Sequence, residues 1–268
     1  MRAFVGILAI AFIASVALAA DVRDLGVPAG WRASDYDRRG YDLLNKGDYE
    51  NARRYLDAAI RTDPYFWTAY YNRATTFCQQ KKWAAALQDL NSTVRLKPAF
   101  FEASFLRAAI SRQLGNYGAG LTDINTLIRL AFRVGNVADQ SHALNERAWL
   151  RSVCPDPSMR SGQLAIADAK KACELMKWKR AEHIDTLAAA YAEAGDFDSA
   201  IHYEEQAISV SKSEPEELSK LLAEKTSERT AMELAKKAAT ELGPLRQQFS
   251  QRLELYKQHR PYRETANR

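Results

Sequence analysis

Small apolar residues return along the chain with a fixed phase. Paired small residues lie seven apart at Ala52 and Ala59, Ala86 and Thr93, Ala165 and Ala172, and Ala200 and Ala207. They belong to apolar segments of helical length, of which 52–62 and 83–97 are the clearest; their apolar positions follow a helical period. Pro64 and Pro98 close those two segments and stand 34 residues apart. Gly47-Asp48-Tyr49 returns 34 residues later as Lys81-Lys82-Trp83, and after another 34 as Gly115-Asn116-Tyr117. Gly195-Asp196-Phe197 is a fourth copy. Upstream stand Arg39-Gly40, Arg73-Ala74, Arg107-Ala108, Arg147-Ala148 and Leu187-Ala188. A fixed period of this length marks tandem supersecondary units.

The physical content of the pattern is close helix approach. A small residue is needed wherever two helices of a hairpin, or of adjacent hairpins, come nearest, because a larger side chain forces them apart. Glycine ends the first helix of a unit, and proline stops the second. One hairpin cannot bury its apolar faces alone, so the units stack. These residues resemble the tetratricopeptide repeat, a 34-residue helix–turn–helix. Five units follow, at about 33–66, 67–100, 101–136, 137–180 and 181–214. The third is the weakest, with Gly120 and Leu127 at its small positions and no closing proline. The fold class expected is all-α: a right-handed superhelix of helical hairpins with a C-terminal helical extension.

Between Arg151 and Ala165 the fourth unit carries about five more residues than the repeat allows, and Cys154-Pro155-Asp156-Pro157 falls among them. That segment, with Lys171-Ala172-Cys173-Glu174-Leu175 and Trp178 after it, resembles a subset of bacterial tetratricopeptide-repeat proteins. Arg252-Leu253-Glu254-Leu255-Tyr256 and Pro261-Tyr262-Arg263-Glu264 resemble the closing segment of the same subset. Residues 215–268 are read as capping or extension helices and a tail. Pro215 is expected to open a helix to Leu242, Gly243-Pro244 to break it, and a last helix to end near His259. The basic residues after Leu245 and the pair Glu204-Glu205 are read as solvated.

The N-terminus has a different character. One arginine, an apolar run over 4–16 and Ala17-Leu18-Ala19 give the layout of a secretory signal peptide, residues 1–19. The expected location is extracytoplasmic, periplasmic or secreted; the alternative is an uncleaved membrane anchor. No further membrane span is expected in the mature chain. Such compartments permit disulfides, but Cys154 and Cys173 fall about 20 Å apart along antiparallel helices, beyond the ~7 Å a bridge allows. Free thiols are expected.

Composition adds exclusions. With 47% hydrophobic and 26% charged residues, the 268-residue chain is neither disordered nor a polytopic membrane protein. Twelve Gly and eight Pro leave few hairpin turns, which disfavours an all-β fold. A net charge of +5 is too small and too dispersed to argue for nucleic acid. No catalytic motif, phosphate loop or metal-ligand spacing occurs, so no catalytic residue, metal or cofactor is assigned. The four histidines fall on different elements, and His142 and Cys154 lie at opposite ends of one predicted helix, too far apart to act as a pair.

The resemblance implies a non-enzymatic interaction scaffold that binds a peptide or partner helix in a concave face lined by the first helix of each unit. At the lining positions stand Tyr41, Asn45, Tyr71, Thr75, Phe105, Arg112, Asn145, Trp149 and Asp185. Aromatic, amide and guanidinium groups of this kind suit a polypeptide ligand. A carboxylate clamp is not supported, because Tyr41 and Glu102 occupy two of its positions. The alternatives are a structural protein dimerising through the C-terminal helices, or an accessory domain of an enzyme.

Overall fold

The computed structural model describes residue 26, residues 30–223 and residues 228–264. The predicted signal peptide, 1–19, lies outside them. Among the described residues the chain forms eleven α-helices, one 3-10 turn and no strand. Five hairpins are built from α1 (Ala33–Asn45) and α2 (Tyr49–Thr62), α3 (Trp67–Gln79) and α4 (Trp83–Leu96), α5 (Phe101–Gln113) and α6 (Tyr117–Val134), α7 (Val137–Val153) and α8 (Gly162–Leu175), and α9 (Ala181–Glu193) and α10 (Phe197–Ala223). The last helix is α11 (Glu228–Lys257). The helix starts of the first three hairpins reproduce the 34-residue phase. The glycine of the recurring turn has a conformational cause: Gly47, Gly115 and Gly195 adopt φ of 78°, 77° and 83°. Lys81, at the same repeat position, is held at φ 57°, which a side chain tolerates poorly.

The chain divides into two compact units, one ending at Ile110 and one beginning at Ser111. In the first, Tyr36, Leu56, Ala58, Ala59 and Ala69 are buried together, with Trp31, Tyr55 and Phe66 against them. A second cluster joins Ala74, Ala86, Leu90, Ala103 and Ile110. In the second unit, Ala148, Ala165, Ala169, Ile184, Leu187 and Ala207 enclose Phe249 of α11. Ala188, Ala192 and Ala200 enclose Tyr256 of α11. All eight paired small residues of the repeat are fully buried, as close helix approach requires.

The recurring arginines have a partner at the same period. Arg73 reaches Asp57 at 2.6 Å and holds Asp89 through two bonds of 2.7 and 2.8 Å. Arg107 donates to Asn91 at 3.1 Å, and Arg147 to Asn125 at 2.8 Å. Positions 57, 91 and 125 are themselves 34 apart, so each arginine links its hairpin to the one before. Burial works against the charge of Arg73, but the two aspartates outweigh it and hold the guanidinium ionised.

Two expected helix breaks do not occur. α10 continues past residue 215 to Ala223, and α11 passes through Pro244. A proline at 215 has no N–H for the carbonyl of Ser211, four residues earlier. Arg246 supplies the missing donors, Nη2 at 2.6 Å and Nε at 3.2 Å from that oxygen. In α11 the cost of Pro244 is offset by the anchors on the C-terminal side of the proline. Phe249, Arg252 and Tyr256 are spaced three and four apart on one helical face, and all are buried. The extension is therefore a lengthened α10 and a single α11, not two helices divided at Gly243-Pro244.

Candidate functional site

The first helices of the first two hairpins, α1 and α3, bring Tyr41, Asn45, Tyr71 and Thr75 together. With Tyr49, Asn72 and Gln79 they line one open cavity of about 710 Å³. Tyr41 is 49% exposed on its rim. Tyr71 is fixed from behind by an edge-to-face contact with Phe100, ring centres 4.8 Å apart. Burial, with Glu102 adding to it, raises the Tyr71 phenol, so it stays a neutral hydroxyl that can donate and accept. Asn72 is steered by Asp37, to which its amide donates at 2.9 Å. The cavity thus offers aromatic faces and amide groups on two rigid helices. Phe105, on α5, packs on Phe101 at 5.7 Å and does not join the lining.

In the second unit the corresponding helices, α7 and α9, are already occupied by the chain's own C-terminal segment. Trp149 donates its indole N–H to Glu264 at 2.7 Å and lies beside Tyr262, ring centres 6.0 Å apart. Asp185 is buried and accepts from Arg252 Nε at 2.6 Å. Arg112 pairs with Glu146 at 3.2 Å and lies 4.0 Å from Glu264. Asn145 is half-buried, and its Oδ1 has no hydrogen-bond partner among the described residues. Two bonds to main-chain carbonyls complete the docking: Glu264 N donates to Val153 O at 3.0 Å, and the Arg263 guanidinium Nη1 to Ser152 O at 3.2 Å.

The Cys154–Pro157 insertion serves the same docking. Asp156 accepts from Ser158 N at 2.9 Å and starts a 3-10 turn, Pro157–Met159. Arg160 then donates to Cys154 O at 2.8 Å and pairs with Glu193 at 3.1 Å. Glu193 also pairs with Arg263 of the tail. One carboxylate therefore clamps the insertion and the closing segment, the two features that set this chain apart from a bare repeat array.

Two further sequence expectations are corrected. Glu204, read as solvated, is completely buried beside Asp185 and Arg252, whereas Glu205 is exposed. Arg252 and Arg263, read as part of a solvated basic tail, are both paired. His142 and His183, on different helices, meet edge to face at 5.6 Å. Burial pushes the His183 imidazole down to about 4, against Glu182, so the ring is neutral. Among the described residues no cluster of three or more His, Cys, Asp or Glu could hold a metal. The three cysteines are free thiols, with Cys154 and Cys173 buried. No helix among the described residues is long and apolar enough to cross a membrane. The spacing of Phe249, Arg252 and Tyr256 was the available sign of a buried face on α11; nothing local pointed to Asp185 as its partner.

Tandem hairpins with this phase define an interaction scaffold of helical repeats. Family models described as tetratricopeptide repeat match residues 38–99 and 180–213, and the chain is a tetratricopeptide-repeat protein. Among solved structures, MamA from Desulfovibrio magneticus RS-1 is 16% identical at a TM-score of 0.55, over 69% of this chain and 98% of that one. A tetratricopeptide repeat protein from Parabacteroides merdae is 19% identical at a TM-score of 0.57, over 84% and 98%. YrrB, described as a TPR protein with an unusual peptide-binding site, is 15% identical at a TM-score of 0.52, over 66% and 86%. At these identities the likeness is one of fold. No curated protein matches the chain significantly.

Proposed function

We propose that the chain is a non-enzymatic adaptor and that the face of α1 and α3 binds an extended peptide or helix of another polypeptide. One observation carries the reading. In the second unit the first-helix face holds a helix and an extended tail, through an indole, a carboxylate and a main-chain bond. Tyr71 in the first unit and Asp185 in the second stand at the same, fifth, position of their repeats. The first unit offers the same kind of surface around an open cavity of about 710 Å³. That YrrB is described as having a peptide-binding site is consistent with this use of the fold. Export after removal of residues 1–19 is part of the proposal, and intact-mass analysis of the native protein tests it.

Peptides selected from a random displayed library against the full chain provide the test. Truncating an interface anchor costs about 2 kcal/mol or more, or roughly thirtyfold in affinity. Tyr41→Ala and Tyr71→Ala should each weaken the selected peptide by about that factor while the thermal melt stays cooperative. Wild-type affinity in both folded variants defeats the assignment. Self-association is favoured by one feature, the exposure of Met232 and Leu234 on α11; light scattering on the full chain decides it.

A further inference from the structure

Arg252 is enclosed as a ligand would be. Its guanidinium lies 5.3 Å from the centre of the Trp149 ring, 5.4 Å from Phe249 and 5.3 Å from Tyr262. Its Nε donates to Asp185 at 2.6 Å and stands 3.8 Å from Glu204. The parts have two origins. Trp149, Asp185 and Glu204 belong to the hairpins α7 to α10; Phe249, Arg252, Tyr256 and Tyr262 arrive with the C-terminal segment.

The fit between the two halves is incomplete. The hairpins present two carboxylates to one guanidinium: Asp185 accepts from it, whereas Glu204, wholly buried, stands 3.8 Å away and makes no hydrogen bond to it. Burial first, and then the nearby Asp185, raise Glu204 well above the ordinary carboxylate range, so it is held protonated beside Asp185. The Tyr256 hydroxyl is buried without a hydrogen-bond partner. The segment bearing these anchors carries Pro244 inside its helix, five residues before Phe249. A planar five-donor guanidinium can stack on an indole and bond two carboxylates at once, which an ammonium cannot.

We propose that Trp149, Asp185 and Glu204 form a receptor for an arginine carried on a helix, filled in this chain by α11 as an internal ligand. A partner helix with an aromatic residue three before and four after its arginine displaces α11 from it. This inference is independent of the cavity on α1 and α3.

The probe is a labelled peptide of residues 245–264 of this sequence, together with a version carrying lysine at the position of Arg252. The peptide should bind the full chain bearing Arg252→Ala, and the lysine version at least about tenfold more weakly. Tyr71→Ala added to that chain should leave the peptide's affinity unchanged, which separates this site from the cavity. In the wild-type chain, excess arginine peptide should speed amide exchange across 249–256 at least about tenfold, and the lysine peptide should not. The exchange experiment stands even where Arg252→Ala fails to fold. Equal binding of the two peptides overturns arginine recognition. Unchanged exchange in the wild-type chain at saturating peptide overturns displacement.

Discussion

Replacing Arg252 with methionine keeps an apolar stem of similar length and removes the guanidinium. The variant leaves Asp185, 4% exposed, and Glu204, 0% exposed, without a cation. At 3.8 Å the attraction to an ionised Glu204 is about 4 kcal/mol at an effective dielectric of about 20. Proton uptake by Glu204 cancels much of that, so the loss centres on the 2.6 Å bond to Asp185 and the stacking on Trp149. Breaking one side of a buried ion pair costs about 3–5 kcal/mol, and we expect that loss in the docking of α11 near neutral pH. The sign of the pH effect comes from the carboxylates. Burial raises both Asp185 and Glu204 in the docked state, so docking is strongest below the ordinary carboxylate range. It weakens as pH rises through the raised value of Glu204, by up to about 1.4 kcal/mol per pH unit for each proton. Without the guanidinium both groups rise further, so the penalty of Arg252→Met is smaller at pH 5 than at pH 8. Native-state amide exchange over 249–256, corrected for intrinsic rates, measures it, with urea melts for the whole chain. A loss below about 1 kcal/mol at pH 7 with no dependence on pH would refute the reasoning.

A Cβ on Gly162 would stand 2.5 Å from the backbone nitrogen of Ala194, whereas one on Gly118 meets nothing within 4 Å. Gly162→Ala should therefore lower stability by about 1–3 kcal/mol, and Gly118→Ala should raise it by about 0.4–1 kcal/mol; melts that order the two the other way contradict the packing. Arg246→Ala leaves the Ser211 carbonyl without its donors and should cost about 1–3 kcal/mol, with faster exchange in α10 around that residue. Burial pushes the Cys173 thiol up to about 12, so iodoacetamide at pH 8 should label it only after unfolding in urea; rapid labelling of the folded chain counts against its place in the core.

The hairpins were legible because their signal is local and repeated. Ala52, Ala86 and Ala200 recur in phase, and each occupies a helix contact with no exposed surface. Tyr41, Asn45, Tyr71 and Thr75 fall together on α1 and α3 because the same repeat phase places them. The C-terminal segment was not legible. Proline is a reliable local stop only where nothing distant compensates; here Arg246 serves the carbonyl freed near Pro215, and three buried anchors hold the helix beyond Pro244. Glu204 and Arg252 look like surface charges one at a time. They become a buried cluster because Asp185, 67 residues from Arg252, completes it, and no short-range pattern carries that information. The fate of Trp149 and Asp185 as partners of the chain itself was hidden with that distant contact.

The most direct measurement concerns the Trp149 indole N–H in the full chain, labelled for nuclear magnetic resonance. In the structure it donates to Glu264 at 2.7 Å, with Tyr262 alongside. This proton should exchange slowly, the indole should show nuclear Overhauser contacts to Tyr262 and Arg252, and its resonance should shift markedly on Glu264→Gln. A fast-exchanging indole proton with no contact to residues 249–264 would contradict the claim that the chain fills this face with its own C-terminal segment.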